Sequence, residues 1–323
     1  MKAIASPNIA LIKYWGKKAF QRDSDRNIGC NSSISMTLSL AQTVTEIRKN
    51  SKKLDSVTLN GQVANDVTYQ KVVKHLNRVA EYLHMERDSF DVVSSNNFPT
   101  GTGIASSASA FAALTLAAVA EMAGREKAQE LLENFPKELS SLARRGSGSA
   151  ARSIEGPFMR WDDRFAYKIL PEDWTLFDTI VIFDDKAKAI SSSEGHERVW
   201  TSPLFPLRLE RLSERIEKIT KALEARDLQA VGPLIEEEAR EMHEVMESST
   251  PAIVYRSETC LRFLKALEAT RNRDFFWTLD AGPNPHIISQ RPIKQELSTI
   301  LRNEGLRADL WEDKCGLGAR LVD

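Results

Sequence analysis

The chain has 323 residues, of which 42% are hydrophobic and 28% are charged, a normal composition for a globular protein with an apolar core. Its 44 Lys and Arg residues are balanced by 45 Asp and Glu residues, which argues against a general nucleic-acid-binding protein because such proteins need a basic excess. Local basic clusters would still suit a small anionic ligand.

Cysteine usage and the apolar segments bear on where the protein works. Cys30, Cys260 and Cys315 are far apart and form neither a CxxC metal pattern nor a disulfide framework, which predicts a cytoplasmic protein. Only a short apolar run begins the chain, so we expect no signal peptide. Residues 105–124 are apolar, but two serines begin the segment and Glu121 lies near its end. We therefore expect a buried helix and no membrane partner.

Hydrophobic periodicity predicts strands and helices in alternation along the chain. Residues 34–48 are rich in β-branched side chains and indicate a strand, and Asn60-Gly61 supplies the tight turn of a hairpin over 55–63. Apolar residues at helical spacing predict an amphipathic helix over 69–84. Further strands are predicted at 90–99, 165–170, 177–183, 274–289 and 305–322, and further helices from 105 onward and at 127–145, 204–246, 251–269 and 292–305.

The order of these elements indicates the fold class. Strands and helices alternate without regular βαβ spacing, and antiparallel signals are present, so the expected class is α+β. The length of the chain allows two lobes. A polar stretch after residue 183 predicts a boundary that divides the chain into 1–185 and 186–323.

The stretch NNFPTGTGIASSASAFAAL, residues 96–114, has the features of a phosphate cradle. Unpaired backbone N–H groups at a helix N-terminus attract anions, and glycine lets the backbone come close to them. Ser106 and Ser107 would add hydroxyl donors, one of which could reach a magnesium ion. No Gly-Lys-Ser/Thr follows, so this is not a Walker A loop. A glycine turn with serine caps on a buried helix fits the same residues.

A second glycine–serine stretch, residues 144–153, reads RRGSGSAARS. Ser147 and Ser149 offer hydroxyl donors between Arg144, Arg145 and Arg152, and the planar guanidinium group suits phosphate and carboxylate. The alternative is a solvated basic loop. Two such stretches in one neutral chain favour a nucleotide together with a phosphorylated substrate.

Two further stretches carry candidate polar groups. The segment NIALIKYWGK places Lys13 and Lys17 beside Tyr14, which could belong either to a site or to a core with solvated lysines. The segment TLDAGPN places Asp280 at the end of an apolar strand, where a carboxylate could act as a base or could be a turn residue.

Taken in their order along the chain, these four stretches resemble the motifs of the mevalonate diphosphate decarboxylases, which belong to the GHMP kinase superfamily. The resemblance extends from residue 5 to about 290. It implies a two-lobed GHMP-kinase-like fold, with a ribosomal-protein-like N-terminal lobe and an α/β sandwich as the C-terminal lobe. It also implies the use of ATP and Mg²⁺ to convert mevalonate 5-diphosphate to isopentenyl diphosphate, ADP, phosphate and CO₂. Family members are often homodimers.

The resemblance assigns roles to individual residues. Asp280 matches the aspartate that acts on the 3-hydroxyl group as a base or orienting group, and Arg152 matches the arginine that pairs with the substrate carboxylate. The implied substrate-binding residues are Lys13, Tyr14, Lys17, Ser147, Ser149, Ser192 and His196. The implied nucleotide-binding residues are Ser94, Asn97, Gly101, Gly103, Ser106 and Ser107, with Ser107 as the candidate metal ligand.

The chain differs from the usual family sequence at two positions, and other functions therefore stay open. His196 stands where members usually have methionine, so we expect any substrate contact there to come from the backbone. Ser193 stands where some bacterial members have an arginine that touches the diphosphate. A decarboxylase for mevalonate 5-phosphate, or a kinase for the 3-hydroxyl group, is therefore the first alternative. The second alternative is a non-catalytic GHMP-fold protein that binds a ligand. Such a protein would not need Asp280 and Arg152.

Overall fold

Three β-sheets organise the parts of the chain that this computed structural model describes, which are residues 1–20, 22–98, 104, 106–171, 173–183, 190–270 and 273–323. The strands are β1 (Lys2–Ala5), β2 (Asn8–Ile12), β3 (Ser33–Thr37), β4 (Thr43–Lys49), β5 (Ser56–Leu59), β6 (Gln62–Val63), β7 (Phe90–Asn96), β8 (Phe158–Asp162), β9 (Phe165–Lys168), β10 (Phe177–Ile182), β11 (Phe275–Thr278), β12 (His286–Ser289), β13 (Asp309–Lys314) and β14 (Arg320–Val322). The helices are α1 (Asp66–Leu83), α2 (Ser106–Ala123), α3 (Arg125–Asn134), α4 (Pro136–Gly146), α5 (Ser192–Arg198), α6 (Phe205–Glu224), α7 (Leu228–Glu247), α8 (Glu258–Glu268) and α9 (Lys294–Asn303).

The sheets are mainly antiparallel. A six-stranded sheet has the order β14-β1-β4-β7-β5-β6, and two four-stranded sheets have the orders β2-β3-β8-β9 and β11-β12-β10-β13. Within the described residues, the pairing of β5 with β7 is the one parallel pairing. Helices and antiparallel strands of this kind confirm the predicted α+β class.

Local sequence signals account for several element boundaries. Asn60 and Gly61 have φ angles of 47° and 77°, as the turn between β5 and β6 requires, which confirms the predicted hairpin. The side chain of Asn65 caps α1 by accepting the N–H of Thr68, and His84 ends that helix in the left-handed region.

Helix α2 is a core element, as its small apolar residues predict. It packs against β1, β4 and α1, and alanines along its length are fully buried. In the described part of the chain it is the one helix long and apolar enough to cross a membrane, and 61% of it is buried inside the protein. Its N-terminal residue Ser106 follows directly on the predicted phosphate loop.

The prediction of a single strand over 34–48 is wrong. The segment is divided into β3 and β4 by a turn, and the carboxylate of Asp313 accepts the N–H groups of Ser39, Leu40 and Ala41 in that turn. Asp313 lies on β13, so a contact distant in sequence interrupts a segment whose composition favours a continuous strand.

Two helix predictions also change. The helix expected to begin at Pro251 begins at Glu258, because Ser257 supplies the cap by accepting the N–H of Cys260. The helix expected over 127–145 is two helices, since Pro136 starts α4. The segments predicted at 204–246 are confirmed as α6 and α7.

The two halves of the chain share a core. Apolar residues of β2 and β3 pack with residues of β10 and β12 and with α6 and α7 in one cluster. The last strand, β14, pairs with β1. The division at residue 185 lies outside the described residues and stays a prediction.

Candidate active site

A buried ion pair joins the beginning and the end of the chain. Lys13 follows β2 directly, and its Nζ atom lies 2.6 Å from Oδ1 of Asp280, two residues after β11. The same ammonium donates a hydrogen bond to the carbonyl of Ala10 at 2.7 Å. The side chain of Lys13 is 1% exposed, whereas that of Asp280 is 23% exposed. Asp280 is therefore the member of the pair that a ligand can reach.

The surroundings of Asp280 keep it ionised. Burial alone would raise the pKa of this carboxyl, but the Lys13 ammonium, His286 and Arg152 together hold the pKa below its ordinary value. Burial lowers the pKa of Lys13 in spite of the attraction of Asp280. An ionised carboxylate that faces a cleft can accept a hydrogen bond or a proton from a bound hydroxyl group.

Arg152 lies on a short 3₁₀ helix, Gly148–Ser153, and neighbouring side chains hold its guanidinium group in place. Its Nε donates to Oδ1 of Asn8 at 3.1 Å, its Nη1 donates to the hydroxyl of Ser33, and the guanidinium lies 5.7 Å from the ring centre of Trp161. Burial lowers its pKa to about 10, so it keeps its charge at neutral pH. No described residue accepts a hydrogen bond from Nη2, which leaves one face of the fork for a ligand carboxylate.

The other two arginines of the RRGSGSAARS stretch are structural. Arg144 is fully buried and donates to the carbonyls of Ser24, Arg26 and Arg164. Arg145 pairs with Asp23 and Glu81. The expectation that all three arginines are available to an anion is therefore wrong for these two.

Aromatic rings form one wall beside Arg152. The ring of Tyr14 lies 4.5 Å from that of Trp161 and 4.3 Å from that of His196. The N–H of Gly16 donates to Nδ1 of His196 at 3.0 Å, and burial lowers the pKa of this imidazole well below its ordinary value. His196 is thus neutral, with its proton on Nε2, and its side chain belongs to the wall.

The hydroxyl groups of the two glycine–serine stretches meet. Ser147 Oγ lies 3.3 Å from Ser107 Oγ and 3.3 Å from Ser149 Oγ, and Ser107 is exposed at the start of α2 beside Ser106. Gly148 is required between them, because a Cβ there would lie 2.7 Å from the ring of Tyr14. The structure therefore brings Tyr14 and all four serines to one region. Gly101 and Gly103 lie outside the described residues.

A group of cations lies near this region. Burial, the charge of Arg26 and, to a smaller extent, that of Lys71 lower the pKa of Lys17 to about 8 against the attraction of Glu197. In the described part of the chain, none of these three cations forms an ion pair. Unpaired cations that repel one another favour an anion between them. No sequence pattern singled out Arg26, which lies in a charged loop, or Lys71, which lies on an amphipathic helix.

Ser94 and Asn97 are engaged with the protein itself. Ser94 is buried and its hydroxyl lies 2.9 Å from that of Thr45. The amide of Asn97 accepts the N–H of Gln42 and donates to the carbonyl of Leu40, each at 2.8 Å. Asn97 thereby fixes the backbone just before the glycine loop. A nucleotide contact by either residue stays a prediction.

Ser192 and Ser193 are exposed in the first turn of α5, which Ser191 caps through the N–H of Glu194. Arg198 at the end of α5 pairs with Glu194 and also donates to the carbonyl of Pro251 at 3.3 Å. The contact of Ser192 with substrate stays a prediction.

The residues present suit magnesium that arrives with phosphates. No group of three His, Cys, Asp or Glu residues lies together in the described ranges, so a site made of protein ligands alone is absent there. Magnesium usually keeps several waters and is held by phosphates with one or two protein oxygens. The exposed hydroxyl of Ser107 fits that role, and its assignment as a metal ligand stays a prediction.

Comparisons with known proteins agree with this geometry. Residues 5–166 match the diphosphomevalonate decarboxylase-like N-terminal domain, and residues 179–313 match the mevalonate 5-diphosphate decarboxylase C-terminal domain. The diphosphomevalonate decarboxylase of Candida albicans is 33% identical over 92% of this chain and 86% of its own length. That of Schizosaccharomyces pombe is 32% identical over 99% of this chain and 86% of its own length.

Solved structures match over the whole chain. Mevalonate diphosphate decarboxylase from Staphylococcus aureus is 30% identical with a TM-score of 0.88, covering 100% of this chain and 97% of its own. A structure of MDDEF in complex with MVAPP, AMPPCP and magnesium is 31% identical with a TM-score of 0.86, covering 100% and 98%. The predicted GHMP-kinase-like fold is confirmed. The chain belongs to the diphosphomevalonate decarboxylase family.

Proposed function

We propose that this protein catalyses the ATP-dependent decarboxylation of mevalonate 5-diphosphate, which yields isopentenyl diphosphate, ADP, phosphate and CO₂. The observation that carries the proposal is the Lys13–Asp280 ion pair, with Arg152 held nearby and the serines of both glycine–serine stretches beside it. The likeness to a structure that binds MVAPP, AMPPCP and magnesium supports both the substrate and the nucleotide.

The first step is transfer of a phosphoryl group. The ionised carboxylate of Asp280 accepts the hydrogen bond, and then the proton, of the 3-hydroxyl group, whose oxygen forms a bond to the γ-phosphorus as the bond to ADP breaks. The ammonium of Lys13 holds the carboxylate in place and keeps it ionised. The unpaired Lys17, Arg26 and Lys71 would neutralise phosphate charge, a task that magnesium bound with the nucleotide would share.

The second step is elimination. The bond between C3 and oxygen breaks with both electrons leaving on phosphate, while the electrons of the C1–C2 bond form the C2–C3 double bond and CO₂ departs. Phosphorylation makes this possible because hydroxide is a poor leaving group. The fork of Arg152 pairs with the substrate carboxylate and orients the C1–C2 bond for cleavage.

The alternatives are less well supported. Relatives that only phosphorylate the hydroxyl group, or that only bind a ligand, would be expected to lack Asp280 or Arg152, and this chain has both. A monophosphate substrate would need one phosphate site fewer, and the exposed Ser193 in place of an arginine is the feature that motivates testing it.

Purified protein with ATP and Mg²⁺ should be given mevalonate, its 5-phosphate and its 5-diphosphate in turn, and both CO₂ and ADP should be followed. We expect both products with the diphosphate alone. Release of ADP without CO₂ would indicate a kinase, and CO₂ with the monophosphate alone would contradict the proposed substrate.

We also propose that the protein is cytoplasmic and forms a homodimer, and that its two lobes are residues 1–185 and 186–323. The scattered cysteines support a reducing compartment, and the resemblance to often dimeric family members supports the dimer. Sedimentation velocity of the purified protein at several concentrations tests the oligomeric state, and a monomer at all of them would contradict it.

A further inference from the structure

Helix α7 contacts the backbones of both partners of the Lys13–Asp280 ion pair. We propose that Glu238 and His243 of α7 are positioning residues for the decarboxylation, because Glu238 holds the backbone of Lys13 and His243 holds the backbone of Asp280. The inference rests on the proposed function, and it concerns residues that neither touch the substrate nor belong to the four sequence motifs.

Glu238 holds Lys13 where β2 ends. Its Oε1 accepts the backbone N–H of Lys13 at 3.0 Å. The carbonyl of Lys13 accepts hydrogen bonds from Nη2 of Arg208 at 3.4 Å and from Nδ2 of Asn31 at 2.9 Å. Ile12, the last residue of β2, pairs with Ile34 of β3, so strand pairing ends just before Lys13. Side chains therefore satisfy both backbone polar groups of Lys13.

The charge of Glu238 is fully buried and shared. Arg208 pairs with its Oε1, and Nη1 of Arg215 donates to its Oε2 at 2.7 Å. Glu238 and Arg208 are both 0% exposed. Ion groups buried to this degree add little net stability, because desolvation offsets most of the attraction. A positional role explains the cluster better than stability does.

His243 holds Asp280 in a similar way. Its Nε2 lies 3.1 Å from the carbonyl oxygen of Asp280. Burial, followed by the charge of Arg256, lowers the pKa of His243 to about 3, so the ring is neutral near pH 7. A carbonyl oxygen only accepts, so Nε2 carries the proton and donates it. Within the described residues, Nδ1 has no partner.

The hydrogen bonds made by Glu238 and His243 both determine the distance between the side chains of Lys13 and Asp280. Lys13 and Asp280 are far apart in sequence, and their side chains meet at 2.6 Å between Nζ and Oδ1. Residues five apart on α7 fix the backbone of each partner. Because a displacement of about 1 Å in a reacting group can reduce a rate by roughly a factor of 100, loss of either contact should lower kcat.

Substitution of His243 tests the second contact. His243→Leu removes the donor and should lower kcat at least about tenfold while the KM for ATP stays unchanged. His243→Gln keeps an amide N–H at a similar reach and should recover most of that loss. Equal kcat values for the wild type, His243→Leu and His243→Gln would overturn the role of His243.

Glu238→Met tests the first contact, because methionine has no oxygen that can accept the N–H of Lys13, and Glu236→Met is its matched control. Glu236 is also buried on α7, pairs with Arg273 and accepts a backbone N–H, that of Trp277 at 3.2 Å, but it touches neither Lys13 nor Asp280. We expect Glu238→Met to lower kcat severalfold and Glu236→Met to leave it near the wild-type value. Equal effects of the two variants would contradict a specific role for Glu238.

A double variant separates position from stability. Arg208→Met/Glu238→Leu replaces the buried pair with apolar groups, and Arg215 keeps Glu237 and Glu241 as partners. Replacements of this kind often preserve folding. We expect a melting temperature close to that of the wild type and a kcat reduced at least about tenfold. If this variant does not fold, the single variants at Glu238 and His243 still decide the proposal.

The pH dependence of kcat/KM is a measurement that a change in stability alone would not alter. The groups that act on Asp280 are Lys13, Arg152 and His286, with Asp178 paired to His286 behind them. A less firmly held Lys13 would let the pKa of Asp280 rise, so the acidic limb of kcat/KM should move to higher pH in the double variant. Wild-type kcat and pH profile in all variants would show a purely structural role. Absence of activity in the unaltered protein would instead contradict the proposed function.

Discussion

The phosphate side of the site and the carboxylate side are built differently. On the phosphate side, exposed hydroxyls such as that of Ser107 lie near cations that have no ion-pair partner among the described residues, including Lys17. On the carboxylate side, Lys13 and Asp280 are paired, and two buried side chains of α7 hold their backbones. The cations of the phosphate side would gain ion-pair partners only when an anion binds. The ion pair of the carboxylate side is already formed without a ligand.

This difference separates binding from chemistry. Unpaired cations gain their partners when substrate arrives, so their removal should act mainly on KM. Paired and anchored groups fix the geometry of the reacting atoms, so their removal should act mainly on kcat. Substitutions on the two sides should therefore differ in the kinetic constant that they change.

Asp280→Asn should give the largest effect. The amide cannot accept the proton of the 3-hydroxyl group, and general-base contributions are typically a factor of about 10² to 10⁴. We expect CO₂ release to fall by that range or more while ATP binding, measured by calorimetry, is largely spared. Near-wild-type turnover would refute the assigned role of Asp280.

Arg152→Lys should come second. A lysine ammonium is a point charge and cannot reproduce the fork that pairs with a carboxylate, nor its hydrogen bonds to Asn8 and Ser33. Hydrogen bonds to charged groups contribute about 1.5 to 3 kcal/mol, so we expect a loss of roughly 10- to 100-fold in kcat/KM for the substrate. An unchanged rate would remove Arg152 from the site.

Lys17→Met should act on binding and on its pH dependence. The pKa of Lys17 is lowered to about 8, so its positive charge is present below that pH and is lost as the pH rises through it. In the wild type, kcat/KM for the substrate should therefore fall above about pH 8. In the variant, KM should be raised about tenfold, kcat should change little, and this basic limb should be absent. The same basic limb in both proteins would assign it to another group.

Ser147→Ala should give the smallest effect. Its hydroxyl lies between those of Ser107 and Ser149, and a neutral hydrogen bond contributes about 1 kcal/mol, or roughly a fivefold change in KM. We expect kcat to stay near the wild-type value in steady-state assays. A large loss of kcat would place Ser147 on the chemical side of the division.

Local patterns predicted much of the fold and the exposed part of the site. The Asn60-Gly61 turn, the amphipathic helix α1 and the core helix α2 follow from residue types and spacing alone. The catalytic candidates Asp280 and Arg152 were found because they lie within short motifs that resemble those of a known family. Their physical surroundings could not be deduced from the motifs.

The parts that the sequence did not predict depend on contacts between distant residues. Asp313 interrupts the strand expected over 34–48, and Arg144 turns its guanidinium toward backbone carbonyls instead of a ligand. Glu238 and His243 look like ordinary positions of a charged helix until the fold places them beside Lys13 and Asp280. Periodicity indicates which face of a helix is buried, but it does not show which backbone group a buried polar side chain will meet.

We expect one site to phosphorylate and decarboxylate the same molecule. The most direct test is the ratio of CO₂ to ADP that purified protein forms from mevalonate 5-diphosphate with ATP and Mg²⁺. We expect equal amounts of the two products throughout the reaction. ADP formed without CO₂, or no reaction with this substrate, would contradict it.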